Sequence, residues 1–275
     1  MSDHLTLSSS NKSIAVLPFV NMSTDPANEY FSDGITEEII NALTTVKGLK
    51  VIARTSSFAF KNKNMDVRTI GDQLGVSTVL EGSVRKAKNR VRITAQLIST
   101  DNGTHFWSKN FDRDLEDIFA VQDEISLQIA DRIRENFGHL NIQEHLIEAP
   151  TKNMEAYDLY LKGRHQHLMW DGQGMVNSIA IYEQCVTIDP LFALPYFGLA
   201  YSYAMYGSWT NNKELLRLSE ANLTKGFNLD KQSYRGYFGK ATLLFWGHWD
   251  FINGQKVFQQ AIALNPSYTE AEEGL

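Results

Sequence analysis

At 275 residues the chain holds about two domains' worth of sequence, at roughly 150 residues per domain. Apolar residues make up 43% and charged residues 21%, with six prolines, which excludes the disordered, collagen-like and low-complexity classes. Thirty-two acidic against 26 basic residues give a net charge of −6, so the chain as a whole lacks the basic footprint of a nucleic-acid binder. The single cysteine, Cys185, cannot form an internal disulfide and is compatible with cytoplasm or periplasm. No apolar run approaches the roughly 20 residues of a membrane helix, and the N-terminus does not resemble a secretory signal. Of the 31 Phe, Tyr and Trp residues, ten fall in residues 1–150 and 21 after it. The two halves are therefore built differently.

Residues 1–12, polar and serine-rich, read as a flexible lead-in. Ile14-Ala-Val-Leu17, closed by Pro18, is a short continuous apolar run, as expected of a strand covered on both faces. Apolar residues at Ile35, Ile39, Ala42, Leu43 and Val46 form a helical stripe, with Ser32 or Asp33 as candidate cap and Gly48 at the end. Leu49–Ala53 reads as a second strand, and Asp66–Leu74 as a short helix stopped by Gly75. Period-two residues Val84, Val91, Ile93, Ala95 and Leu97, around the connector Lys86–Asn89, predict a hairpin. Asp101-Asn-Gly103 turns the chain into a strand over Thr104–Phe111, and a long helix follows from about Asp114 to Phe137. The expected order is β-α-β-α, a meander and a helix, giving a small mixed sheet with helices against it.

Residues 70–92 admit a competing reading. Ile70–Val79 resembles the turn of a helix-turn-helix, with a recognition helix over Ser77–Lys86 and the basic residues Arg85, Lys86, Lys88, Arg90 and Arg92 around it. This is the alternative functional reading, a DNA-binding regulator acting through residues 70–92. Thr78, Val79, Gly82 and Val84 are poor helix formers, and Gly82 alone costs about 1 kcal/mol relative to Ala, so the strand is preferred.

The second half carries three similar endings: Cys185–Pro190, Gly226–Lys231 and Ala261–Pro266. Asp189, Asp230 and Asn265 in them are spaced by 41 and then 35 residues, close to the 34-residue tetratricopeptide (TPR) period with an insertion in one unit. Each ending closes a helix (179–188, 215–229, 257–264), and each is preceded by another (155–169, 193–206, 234–246). Cys185, Gly226 and Ala261 occupy one equivalent small position, which makes Cys185 a packing residue. Tyr196, Leu199, Ala200 and Tyr203 fit the repeat's core stripe, while Phe197 and Tyr201 fall on another face. In solenoids that second face lines the concave binding surface. Phe197, Tyr201, Tyr206 and Phe238 are therefore the candidate ligand- or partner-binding residues. The other reading, that a neighbouring repeat or the first domain covers them, stays open.

Several blocks then resemble a known family. Ser13-Ile-Ala-Val-Leu-Pro-Phe19, Tyr30-Phe-Ser-Asp-Gly-Ile35 with Glu37-Glu38, Val51–Ser56, Leu80–Arg85, Val91–Leu97, Trp107 and Asp117–Asp123 resemble the TolB-N/FlgO-like domain, in order, over residues 13 to about 135. Residues 155–275, including Ala156–Arg164, resemble the TPR region that follows it in the same proteins. The resemblance implies a regulatory or sensor region of bacterial regulators carrying a DNA-binding domain of ToxR/CadC or AraC type, a class III adenylate or guanylate cyclase, or a kinase. The expected organisation is a lead-in over 1–12, an α/β domain over 13–148, and an all-α TPR-like domain over 149–275 of about three repeats. Because Tyr268-Thr-Glu-Ala-Glu begins another helix just before Leu275, a piece of a longer, membrane-linked protein is expected.

A search for catalytic chemistry returns nothing: no phosphate loop, no G-x-G-x-x-G, no H-E-x-x-H and no G-x-S-x-G. His165 and His167, two apart on a helix, project to different sides and do not readily share a metal. His139 and His145 fall at the domain junction and read as solvated linker. No enzyme, cofactor or metal is expected. The expected partner is a protein, a peptide or a small ligand in the repeat groove. Nucleic acid is not expected, and a membrane is expected to be reached only through segments outside this chain. Compartment and oligomeric state are not readable, a dimer being one compatible form.

Overall fold

The computed structural model describes residues 12–266, 268, 270 and 271. Most of the expected lead-in, and parts of the helix expected after Pro266, lie outside the described residues. Two compact units are present. One holds the sheet and extends to Glu148; the other runs from Ala149, and the first turn of the first helix, Glu29–Gly34, groups with it.

The first unit is built on a mixed sheet in the order β3-β1-β4-β5-β6. β1 (Ser13–Val16) lies parallel to both β3 (Lys50–Val51) and β4 (Thr78–Ala87), with Ala15 opposite Val79. All four β1 residues are buried, as the unalternating apolar run requires. Pro18 has no N–H to give to a ladder, so β1 stops there; pairing with β4 resumes at β2 (Val20–Asn21). β4, β5 (Arg90–Ser99) and β6 (His105–Asp114) form an antiparallel meander. The hairpin loop is narrower than the sequence suggests: Ala87 pairs with Arg90, and Lys88, at φ +54, carries the turn with Asn89.

Helices α1 (Glu29–Thr44), α2 (Arg54–Phe58), α3 (Val67–Leu74) and α4 (Ile118–Phe137) complete this unit. Asp66 caps α3 by accepting from Arg68 N at 2.9 Å, and Gly75 ends it in the left-handed region at φ +61. Ala15, Leu17 and Val79 pack with Ile70 and Val76 on one side of the sheet. Ile118, Val121, Ile125, Ile129 and Ile133 are the buried stripe of α4. α1 corrects an expectation. It starts after a 3₁₀ turn at Pro26–Asn28, three residues before Ser32, so Ser32 and Asp33 are buried inside the helix and cap nothing.

The second unit is helical: α5 (Met154–His167), α6 (Gly172–Ile188), α7 (Ala193–Thr210), α8 (Lys213–Leu229), α9 (Tyr234–Thr242, continued by a π-turn over Leu243–Gly247) and α10 (Phe251–Leu264). Its turns recur. α6, α8 and α10 are entered through Trp170-Asp171, Asn211-Asn212 and Trp249-Asp250; the first residue of each pair has φ between +51 and +57. The second accepts from a helix N–H: Gly174 N at 2.6 Å, Glu214 N at 3.0 Å and Asn253 N at 3.2 Å. The same helices end on Asp189, Asp230 and Asn265, all near φ −133 to −141, with N–H groups donating to the carbonyls of Cys185, Gly226 and Ala261. The 41-residue spacing has a local cause: α8 has 17 residues against 14 in α10, and α7 has 18 where its counterpart is a nine-residue helix and a five-residue π-turn.

Small residues set the helix approaches. The Tyr182 ring of α6 lies between Gly163 of α5 and Gly198 of α7, where an added Cβ would stand 2.6 and 2.5 Å from it. Cys185 is buried with its Sγ 3.0 Å from the Ala156 carbonyl, and burial pushes its thiol up to about 12. A thiol shut away from solvent and bonded to a carbonyl has the surroundings of a packing residue.

Candidate functional site

The helical unit closes around a cavity of about 20 Å³, room for about one water. Three of the four candidate binding residues line it: Phe197, Tyr201 and Phe238, at 2, 3 and 5% exposure. Tyr206, at the far end of α7, is half-buried. Of the two readings the sequence leaves open, the burial of Phe197, Tyr201 and Phe238 accords with the covered face, because α7 is buried on nearly every side rather than along one stripe. Aromatic contacts join the wall: Tyr201 stacks on Phe238 at 5.1 Å, and Phe238 meets Tyr268 edge-on at 5.2 Å.

The polar part of the wall comes from residues that the aromatic pattern does not reveal. Arg164 of α5 donates from Nη2 to Glu270 Oε1 at 2.6 Å, both side chains being under a tenth exposed. Tyr268 donates its hydroxyl to Glu270 Oε2 at 3.0 Å. Arg164 Nη1 lies 3.2 Å from His167 Nε2. A guanidinium only donates, so Nε2 is the accepting nitrogen. The imidazole proton is then on Nδ1, 3.1 Å from Tyr182 Oη, which accepts it. Burial holds the Tyr182 and Tyr268 phenols well above their ordinary range, so both stay protonated. Arg235 places its guanidinium 5.2 and 5.8 Å from the Tyr234 and Tyr268 rings. The chamber wall therefore combines guanidinium groups, a neutral imidazole and aromatic faces. His165 and His167 differ in surroundings as expected, His165 being half-buried and His167 buried.

In the first unit, residues 70–92 do not form a helix-turn-helix. The proposed recognition helix is strand β4, paired with β5 along its length. Three basic residues of the β4–β5 hairpin are engaged: Arg90 and Arg92 with Asp112 at 2.5 and 2.6 Å, and Arg85 Nε with the Met22 carbonyl at 3.1 Å. A broad polar depression of about 720 Å³ lies at the other end of β4 and β5, lined by residues including Arg68, Asp72, Ser77 and Asp101. His145 is exposed, as the solvated-linker reading expects, and its ring is also anchored. Its Nδ1 lies 2.8 Å from Asp123 Oδ2, while Asp123 Oδ1 accepts from Leu146 N and Ile147 N at 2.7 and 3.0 Å. One α4 carboxylate thus ties down the chain leaving this unit. Among the described residues, no group of three or more His, Cys, Asp or Glu is placed to hold a metal ion, and no helix is long and apolar enough to cross a membrane.

Residues 10–128 match the family described as HilA/YgeH-like transcriptional regulator, second domain. A protein of Rhizobium meliloti (strain 1021) described as "Putative adenylate cyclase 3" is 45% identical over 188 residues, 68% of this chain. The chain spans only 32% of that relative's length. Similar solved structures include the LpoB C-terminal domain from Salmonella enterica (16% identity, TM-score 0.32, 38% of this chain and 83% of that one) and lipoprotein GNA1162 from Neisseria meningitidis (21%, 0.34, 44% and 97%). TolB from Acinetobacter baumannii is similar at 14% identity and TM-score 0.34, over 46% of this chain and 29% of that one.

Proposed function

We propose that the chain is a non-catalytic regulatory module of a bacterial signalling or transcription-regulatory protein. In this reading residues 13–148 are a TolB-N/FlgO-like sensing or relay domain, and residues 149–275 are TPR-like repeats that bind a peptide, a protein or a small ligand. The observation that carries it is the pair of sequence matches, one to a transcriptional-regulator domain and one to a protein described as a putative adenylate cyclase. The recurring turns before α6, α8 and α10 support the repeat reading. The aromatic and guanidinium wall of the inner chamber supports a ligand role for Phe197, Tyr201 and Phe238.

A thermal-shift screen against metabolites and peptides tests the binding part. A ligand is expected to raise the Tm of the chain, with a smaller rise in Tyr201→Phe, which keeps the packing and removes the chamber hydroxyl. A screen with no stabilising ligand rejects that part. Formation of cyclic nucleotide from ATP or GTP by the chain alone would reject the non-catalytic part.

A further inference from the structure

The sheet of the first unit has two unlike edges. One edge strand, β3, is two residues long, too short to template another chain. The other, β6, runs for ten residues without a proline or a glycine. Its main-chain polarity follows from its end. Leu115 N donates to the Asn89 carbonyl, so the odd-numbered residues of β6 bond to β5, and Ser108, Asn110, Asp112 and Asp114 present N–H and C=O to the open side. Among the described residues no further strand pairs with these groups, and Arg113 Nη1 covers the Asp112 carbonyl at 3.1 Å. Long open edges are ordinarily blunted by lysines, bulges or cover. Lys109 is instead drawn onto its own sheet, its Nζ 3.0 Å from Glu124 Oε1 and 4.8 Å from the centre of the Phe111 ring. The β5–β6 register slips at Leu97/Ile98, opposite the start of β6, and stays regular from Trp107 to Asp114.

An antiparallel twofold pairing of β6 with itself has few registers, each centred on one residue, and charge decides among them. Centring on Lys109, Asp112, Arg113 or Asp114 sets two like charges on the axis. Centring on Phe111 opposes Lys109 to Arg113, and centring on Ser108 or earlier carries the pairing into the slipped stretch. Centring on Asn110 opposes no like charges. Ser108 then faces the partner's Asp112, Lys109 the partner's Phe111 and Trp107 the partner's Arg113. These are one hydroxyl–carboxylate pair and two cation–aromatic pairs.

We propose that β6 is a self-association edge, through which two copies of this chain join their sheets antiparallel about an axis at Asn110. About six main-chain hydrogen bonds, from Ser108, Asn110 and Asp112 of each copy, close the pairing. The Arg113 guanidinium exchanges the Asp112 carbonyl for the face of the partner's Trp107. Ser108 and Asn110 at the centre are polar and exposed, so the dimer is expected to be reversible and concentration-dependent rather than obligate.

The test is sedimentation equilibrium of the full chain over a concentration series. The wild type is expected to show a reversible monomer–dimer equilibrium. Asn110→Lys and Asn110→Asp each place two like charges on the axis, and each alone is expected to weaken the dimer about tenfold or more. Asn110 is exposed, so both variants are expected to keep the wild-type unfolding midpoint in dilute solution. Mixing the two variants puts opposite charges on the axis and is expected to restore a mixed dimer at least as tight as the wild type. A wild type that stays monomeric at every concentration overturns the proposal. A dimer that either substitution leaves unchanged also overturns it, by assigning the contact to another surface, as does a mixture that associates no better than its separate components.

Discussion

Arg164 and Glu270 are 106 residues apart in the chain, yet they form a pair with both side chains almost out of solvent. Two opposed effects decide what the pair contributes. Desolvation of both ions is costly and offsets most of their attraction, but removing one partner leaves the other charge in the low-dielectric interior. Glu270→Gln is therefore expected to lower unfolding free energy by about 3 kcal/mol, as measured by urea denaturation. The double replacement Arg164→Met, Glu270→Leu is expected to lose clearly less, and a double variant as damaged as the single one would contradict this account. His145 makes a different prediction. The hydrogen bond to Asp123 raises its affinity for a proton above the ordinary value of 6.5. A raised folded-state value means that the link stabilises the fold fully below the unfolded value and weakens as pH rises through the folded one. NMR titration should place the His145 midpoint above that of an exposed histidine, and Asp123→Asn should bring it back.

Among the elements, α7 shows where sequence patterning loses its grip. A helix with one buried stripe announces that stripe, and α4 did so. α7 is buried almost all round, so its pattern left open whether its second face, Phe197 and Tyr201, is free or covered. The ends of α6, α8 and α10 were legible because each closes on one backbone conformation that follows a small residue, Cys185, Gly226 or Ala261. The hairpin was legible because period-two burial and β-branched residues agree. The start of α1 was not, because buried Ser32 and Asp33 resemble capping residues when tertiary contacts are unseen. Arg164 and Glu270 were illegible for a related reason: nothing local marks a charge that will be buried by a segment far along the chain. α2, five residues without a periodic stripe, gave no signal. The close approach of α5, α6 and α7 is itself testable. Gly198→Ala would place a methyl about 2.5 Å from the Tyr182 ring and force α6 and α7 apart. A loss of about 1–3 kcal/mol is expected by chemical denaturation. An unchanged midpoint would mean that Tyr182 can swing aside.

For the molecule as a whole, charge and topology together decide between a regulator that reads DNA itself and one that acts through another contact. DNA association is driven by release of counterions from phosphates that lysine and arginine neutralise, so it needs uncommitted positive charge on one surface. Here the net charge is −6, and the densest basic stretch, Arg85–Arg92, is a hairpin rather than a groove-reading helix. Two of its arginines already share Asp112, whose carboxyl they hold below its ordinary range. Binding phosphate there would first have to break those pairs, against the repulsion of the remaining acidic surface. The full chain is accordingly expected to leave duplex DNA unretarded at low salt, about 50 mM. Neutralising Asp112 provides the sharper arm of the same experiment. Asp112→Asn releases Arg90 and Arg92 from that partner and is expected to introduce weak, salt-sensitive retardation that the wild type lacks. Retardation by the wild type, lost in Arg85→Ala, Arg92→Ala, would instead show that the hairpin binds DNA despite its ion pairs.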